Sequence, residues 1–370
     1  MTCQPEAVRF CAKAPPMMPR PMIPTVLFFA EAMLVAFLNQ NVSPYDIAPR
    51  AEQAASAPRA DRLWSAPQRK LLGERRMHVG VAGIGKMGAA IAARLIEVGH
   101  EVAVWNRTPD KAKAVATATV AATPAELAQQ SEAIVTILTD GAAIEAVYNG
   151  ASGLLSAGVS GKLFIEMSTV PPKVETALAP KVEAKGAAFV ECPVGGSTTP
   201  ARQGKLLGLL GGDADAAARA LPILNQLCRK VEHCGPVGAG SSMKLAINLP
   251  LMVAWQAYGE AFAIARDVGW DPKRLLDLFV ESNGANNGLK TRADMIVAMM
   301  ENRDPGPTTF NIADAVKDLR TMVDTGAAKG ADMPATRAAL AAFEEANKKG
   351  LGGGDGSRQS VYWASRRKKP

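Results

Sequence analysis

Lys244 is the residue with the clearest capacity for chemistry. It lies in GAGSSMKLAINLPLMVAWQAYGEAFAIARDVG, where the only charged positions between Ser241 and Asp267 are Lys244, Glu260 and Arg266. A helix so apolar all round is expected to be covered from several sides, with Pro250 bending rather than ending it. A lysine near its start either snorkels to solvent or is held inside with a partner or a task. Asn248, four residues on, shares its face. Burial would lower the ammonium pKa toward neutrality, which suits a group that stabilises a carbonyl oxygen and gives it a proton. Spacing alone leaves both readings open; what stands upstream favours the second.

Upstream, GIGKMG (Gly83, Ile84, Gly85, Lys86, Met87, Gly88) contains GxGxxG between an apolar strand and a helix. Gly83 permits the tight turn, Gly85 lets a pyrophosphate approach the backbone, and Gly88 packs helix on strand. The helix start offers amides and its dipole to phosphate. The next strand then decides the dinucleotide. An NAD site usually ends it with an acid about twenty residues on, gripping the ribose hydroxyls. Here it ends Trp105, Asn106, Arg107, Thr108, with no carboxylate. Arg107 can meet a 2′-phosphate with a planar fork and Thr108 with a hydroxyl, so NADP(H) is expected in preference to NAD(H).

The elements that must carry these residues read as follows. Apolar strands are predicted at HVGVAGIG, EVAVWNR, AIVTIL (Ala133 to Leu138), KLFIEM (Lys162 to Met167), AAFVECPV (Ala187 to Val194) and KLLGLLGG (Lys205 to Gly212). Helical stretches separate most of them, starting with KMGAAIAARLIEVGH and one opening at Thr108–Pro109. That alternation predicts an α/β fold, a Rossmann-type doubly wound parallel sheet covered on both faces. After Gly240 the strand signals stop, and helices are predicted over 241–268, 272–280, 289–299, 312–329 and 334–348. We therefore expect a dinucleotide-binding domain at 77–237 and an all-helical domain at 238–365, with the Lys244 helix as the bridge.

At 370 residues the chain has room for two domains, and its 48% apolar content suits a helix-rich α/β protein. The net charge of +7 is concentrated at the ends: residues 1–76 hold ten Lys/Arg against six Asp/Glu, and a basic tail, 366–370, adds four more cations. The body is near neutral, which argues against a nucleic-acid-reading fold. Five scattered cysteines without CxxC read as reduced thiols in a cytoplasmic protein, and three scattered histidines form no metal-ligand pattern. Residues 1–76 carry ten of the twenty-five prolines. Their apolar run from Thr25 to Leu38 is too short, and too interrupted by Glu31, to span a bilayer, so no membrane association is expected. We read 1–76 as a disordered tail or a dispensable extension, with Met77 as a candidate functional start.

With these residues in view, the sequence resembles the β-hydroxyacid dehydrogenases over about 77–360, in motif order and spacing. The carriers are GIGKMG, WNRT at 105–108, EMST at 166–169, ECPVGGSTTPARQGKL at 191–206, GAGSSMKLAIN at 238–248 and KDL at 317–319. The nearest look is to the NADPH-dependent glyoxylate/succinic semialdehyde reductase branch. The resemblance implies Lys244 as the catalytic lysine and Asn248 as the amide that holds lysine and substrate. It implies cofactor contacts from Leu138, Thr139, Thr169 and Lys317 besides the glycine loop and Asn106–Thr108. It implies a substrate set of Gly195, Gly196, Ser197, Phe310 and Asp318.

Two positions depart from the family: Gly195 stands where a serine is usual, and Ala313 where the plant reductases carry a lysine. Both bear on the substrate rather than the reaction. The resemblance further implies a small carboxylate-bearing aldehyde or hydroxyacid as substrate and a homodimer or homotetramer as assembly. Alternatives are an NAD-dependent 3-hydroxyisobutyrate dehydrogenase, which Arg107 speaks against, and an imine reductase or a non-catalytic NADP-binding sensor, both of which typically lack the lysine.

Overall fold

The computed structural model describes residues 76–366. The expectations for the apolar run at Thr25 to Leu38, for 1–75 as a whole and for the end of the basic tail lie outside them. Described residues build an α/β layer followed by a helical bundle. The layer runs β1 His78–Ala82, α1 Lys86–Glu97, β2 Glu101–Trp105, α2 Pro109–Lys113, β3 Thr119–Val120, α3 Pro124–Gln129, β4 Ala133–Thr136, α4 Gly141–Asn149, β5 Leu163–Glu166 and α5 Pro172–Glu183. It continues with β6 Ala188–Glu191, β7 Val194–Gly195, α6 Thr198–Arg202, β8 Leu206–Gly211, α7 Ala214–Leu227 and β9 Cys228–Gly235.

Strand order is β3-β2-β1-β4-β5-β6-β8-β7, with β9 beside β8. From β3 to β6 every pairing is parallel. Alternate residues feed two cores, one per face. Val79, Val81, Val135, Ile165 and Val190 pack under α1 and α7, while Ile134, Phe164 and Phe189 pack with Tyr148, Leu154 and Val182. A strand buried on both faces has no polar side to show, hence the continuous apolar runs in the sequence.

The sheet departs from the expected all-parallel order beyond β6. Pro193, which has no amide hydrogen, breaks the run AAFVECPV into β6 and β7, and β8 then pairs antiparallel with both. A parallel return needs a long crossover, and the five-residue α6 is too short to supply one. The edge strand β9, half polar along its length, was not among the predicted strands.

The bundle comprises α8 Ala239–Ala265, α9 Pro272–Glu281, α10 Asn287–Met300, α11 Ile312–Ala328, α12 Pro334–Ala346 and α13 Arg358–Ser365. The long helix α8 continues through Pro250 and buries Leu245, Met252, Trp255, Tyr258 and Phe262 in the third core. As its composition implies, it is covered from several sides, by β8, β9, α5, α11, α12 and α13. Met243, Ile247 and Ile264 remain exposed, the last at 85%. None of the described helices is long and apolar enough to cross a membrane.

Candidate active site

The glycine loop has the shape its sequence implied. Gly83 sits at φ +101°, and a Cβ there would fall 2.2 Å from the Ile137 carbonyl oxygen. A Cβ on Gly88 would fall 1.9 Å from the Gly83 carbonyl oxygen, so α1 can lie this close to the turn only with glycine. Gly85 is different: nothing lies within 4 Å of where its Cβ would be. No internal contact demands glycine at that point, and the open space above the start of α1 is what a phosphate group would need. The start of α1 has no side-chain cap and no acid in its first turn, leaving its amides for an anion.

Asn106 ties this loop to the next one. The Ile84 amide donates to Asn106 Oδ1 at 2.9 Å, and Asn106 Nδ2 donates to the Thr108 carbonyl at 3.0 Å. Both ends of the amide are thus used to brace the two turns. Arg107 and Thr108 are exposed at the end of β2, and the Thr108 hydroxyl makes no capping bond to α2. The Lys86 ammonium reaches the Thr308 carbonyl in the segment before α11, joining the glycine loop to the bundle.

Lys244 lies in the second turn of α8, 6% exposed, and its Nζ donates to Asn248 Oδ1 at 3.1 Å. Burial pushes its pKa down to about 8, against the pull of the Asp318 carboxylate and with a push from Lys317. Asp318 is buried in α11 and its pKa is raised by burial, although Lys317 Nζ lies 2.9 Å from its Oδ1. Lys317 also crosses to the sheet, donating to the carbonyls of Thr169 at 2.9 Å and Thr139 at 3.2 Å. Those carbonyls belong to the turns after β5 and β4, where Leu138 is held by its amide donating to Ser168 Oγ at 2.7 Å. Through Lys317, the helix that carries Asp318 is tied to the turns at the carboxyl ends of β4 and β5, the usual ligand position in such sheets.

The loop Gly195–Ser197 lies on the same side of the sheet. Gly195 pairs with Leu207 on β8, and α8 starts two residues further along that strand, where a Cβ on Gly240 would meet the Leu209 carbonyl at 2.3 Å. Gly196 needs its glycine, at φ +129°, whereas a side chain at Gly195 would find only ordinary contacts. The absence of serine at 195 is thus not forced by space. Phe310 packs in the bundle core against Gly356, whose amide donates to the Phe310 carbonyl at 2.8 Å. Sequence reasoning gave no role to Glu166, Ser168, Glu191 or Ser241. The available signal was a glutamate closing each of two apolar strands.

Two family models match in tandem. The first, the NAD binding domain of 6-phosphogluconate dehydrogenase, covers residues 78–235; the second, the NAD-binding of NADP-dependent 3-hydroxyisobutyrate dehydrogenase, covers 238–362. Glyoxylate/succinic semialdehyde reductase 1 of Arabidopsis thaliana is 31% identical over 75% of this chain and 94% of its own length. The chain belongs to the β-hydroxyacid dehydrogenase family. A second relative of this family, mitochondrial 3-hydroxyisobutyrate dehydrogenase of Mus musculus, is 36% identical over 56% of this chain and 62% of its own length. The structure of a Mycobacterium tuberculosis 3-hydroxyisobutyrate dehydrogenase with L-serine superposes with a TM-score of 0.69, covering 78% of this chain and 99% of that one at 26% identity. As a β-hydroxyacid dehydrogenase, the protein is an NAD(P)-dependent oxidoreductase acting on hydroxyacids.

Proposed function

We propose that this β-hydroxyacid dehydrogenase works as an NADPH-dependent reductase of a small aldehyde bearing a carboxylate, of the glyoxylate or semialdehyde type. The observation that carries the reading is Lys244: a buried ammonium, paired with Asn248 and facing Asp318. The cofactor would be held by the Gly83–Gly88 loop, with the open space at Gly85 taking the pyrophosphate, and by the turns carrying Leu138, Thr139 and Thr169. When bound, it supplies the hydride that reduces the carbonyl carbon. Arg107, beside the free hydroxyl of Thr108 and with no carboxylate at the end of β2, supports preference for the 2′-phosphorylated form.

Lys244 binds the carbonyl oxygen by hydrogen bond and gives it a proton as charge develops there. Asn248 orients the ammonium, and Asp318 keeps it charged against the penalty of burial. The backbone of Gly195–Ser197 supports a substrate carboxylate, and Gly195 in place of serine leaves room beside it.

The test is oxidation of NADPH and NADH with glyoxylate, succinic semialdehyde, tartronate semialdehyde and methylmalonate semialdehyde, wild type beside Lys244→Ala. Lysine-dependent turnover with NADPH supports the reading. Cofactor binding without turnover of any aldehyde rejects it and moves the search to imines. Two further proposals accompany it. The exposed apolar face of α8 takes a second copy of this chain, giving a dimer or tetramer, and the unpaired thiols of Cys192, Cys228 and Cys234 fit a cytoplasmic location. Cross-linking and cell fractionation test these.

A further inference from the structure

The start of α8 rests on a buried carboxylate. Glu191, the last residue of β6, is fully buried. Its Oε1 accepts from the amides of Gly238 at 2.6 Å and Gly240 at 2.9 Å, and its Oε2 from the amide of Ser241 at 3.2 Å and from the Ser241 hydroxyl. The first amides of a helix have no partner inside it. The residue before α8 cannot cap them, because it is Gly238, at φ +95° and without a side chain. A strand of the sheet supplies the acceptor instead. A carboxylate has the lone pairs to take four donors at once, whereas a side-chain amide offers a single oxygen.

Neighbouring positions are shaped around this group. Gly211 of β8 pairs with Glu191, and a Cβ there would collide with Oε1. A Cβ on Gly240 would fall 3.2 Å from the same oxygen and would also collide with the Leu209 carbonyl. The carboxylate therefore sits at the junction of β6, β8 and α8. Two pieces of the proposed substrate site lead away from it. Lys244 stands one turn beyond Ser241 on the same side of α8, and both are buried. In the other direction β6 runs on through Cys192 and Pro193 to β7 and the Gly195–Ser197 loop.

We propose that Glu191 is a positioning residue for the reduction: by accepting these four donors it fixes the start of α8 to the sheet, and so sets where the Lys244 ammonium stands relative to the Gly195–Ser197 loop. The tasks of the lysine and the loop rest on the reductase reading above; the anchor itself does not. A misplacement of about 1 Å at a reacting group can cost on the order of 10²-fold in rate. The Gly83–Gly88 loop is built by β1 and α1, on other strands of the sheet. Loosening the anchor therefore acts on turnover before it acts on cofactor binding.

The experiment uses the full chain with Glu191→Gln and Ser241→Ala, each alone and combined with Lys244→Ala. The substrates are NADPH and whichever of the four aldehydes above the wild type reduces fastest. Glu191→Gln keeps the length of the side chain and loses one acceptor oxygen. It should lower kcat about ten- to a hundredfold, with the Kd for NADPH within about threefold of wild type. Ser241→Ala, which removes one donor, should lower kcat about threefold. In the Lys244→Ala background both losses should shrink below about twofold, because a residue that acts through the lysine then has nothing to place. Hydrogen exchange reads the anchor without activity. Peptides spanning 236–248 should exchange about tenfold faster in Glu191→Gln, and those spanning β1 and α1 at wild-type rates. Equal losses with and without Lys244, or NADPH affinity lost in step with kcat, overturns the positioning role. Unchanged exchange at 236–248 overturns the anchor. If Glu191→Gln does not fold, Ser241→Ala decides by the same comparisons. If the wild type reduces none of the aldehydes, or Lys244→Ala matches it, the reductase reading fails and the positioning role with it, while exchange still decides the anchor.

Discussion

At the scale of residues, Lys244 sets opposite demands on stability and activity. Its pKa in the folded chain is about 8 against 10.5 for the free side chain. Between those values the unfolded chain binds more protons, so stability rises with pH through this window, and the deficit is fully present below it. Lys244→Met should therefore raise the unfolding free energy near neutral pH by about 1–3 kcal/mol, the advantage shrinking in alkali. Urea unfolding of both proteins at several pH values checks this. Lys244→Ala should lower turnover by about 10²–10⁴-fold. Because reduction uses the protonated lysine, the wild-type rate should fall as pH rises through about 8, and the oxidation rate should rise over the same range. Arg107 carries a separate expectation. Arg107→Ala should raise KM for NADPH about tenfold with little change for NADH, and an equal change for both would remove its assigned role.

At the scale of elements, the start of α8 is where the two halves of the molecule are joined. Gly238 at φ +95°, the close approach of Gly240 to β8 and the four donors on Glu191 place Lys244 against the sheet. Further along, the same helix is held by α13, whose buried side is polar: Gln359 donates to Gln256 at 2.8 Å, and the Ser360 hydroxyl donates to the Trp255 carbonyl at 2.8 Å. Contact this close depends on Gly259, where a Cβ would fall 2.7 Å from Trp363 Cβ and 3.0 Å from the Ser360 carbonyl oxygen. Gly259→Ala should destabilise the bundle by about 1–3 kcal/mol through overpacking, read as a lower urea midpoint at unchanged slope. Cofactor binding, which depends on the α/β layer, should survive.

At the scale of the whole molecule, the open question is what covers the exposed part of α8. Met243 and Ile247 lie one turn apart and exposed near its start, and Ile264 and Val268 are exposed near and just beyond its end. Such a face in water favours association. If a second copy covers it, Ile264→Asp should shift the protein toward monomer in light scattering behind size exclusion. An unchanged mass would place the interface elsewhere.

What the sequence determined by itself were features with local causes. The ends of the GxGxxG turn follow from Gly83 and Gly88, whose neighbours leave no room for a side chain. The parallel core of the sheet follows from strands apolar on both faces. The burial of Lys244 was legible only with the upstream motifs beside it, since the missing charges around it left a snorkelling lysine equally open. Tertiary structure alone decided the rest. The reversal at β8 depends on how little chain lies between two strands. The docking of α13 rests on polar side chains that look like surface in the sequence. The capping of α8 by Glu191 joins residues from different elements, and their meeting carries no local signal. Local periodicity records which face of an element is dry; it does not record which partner dries it.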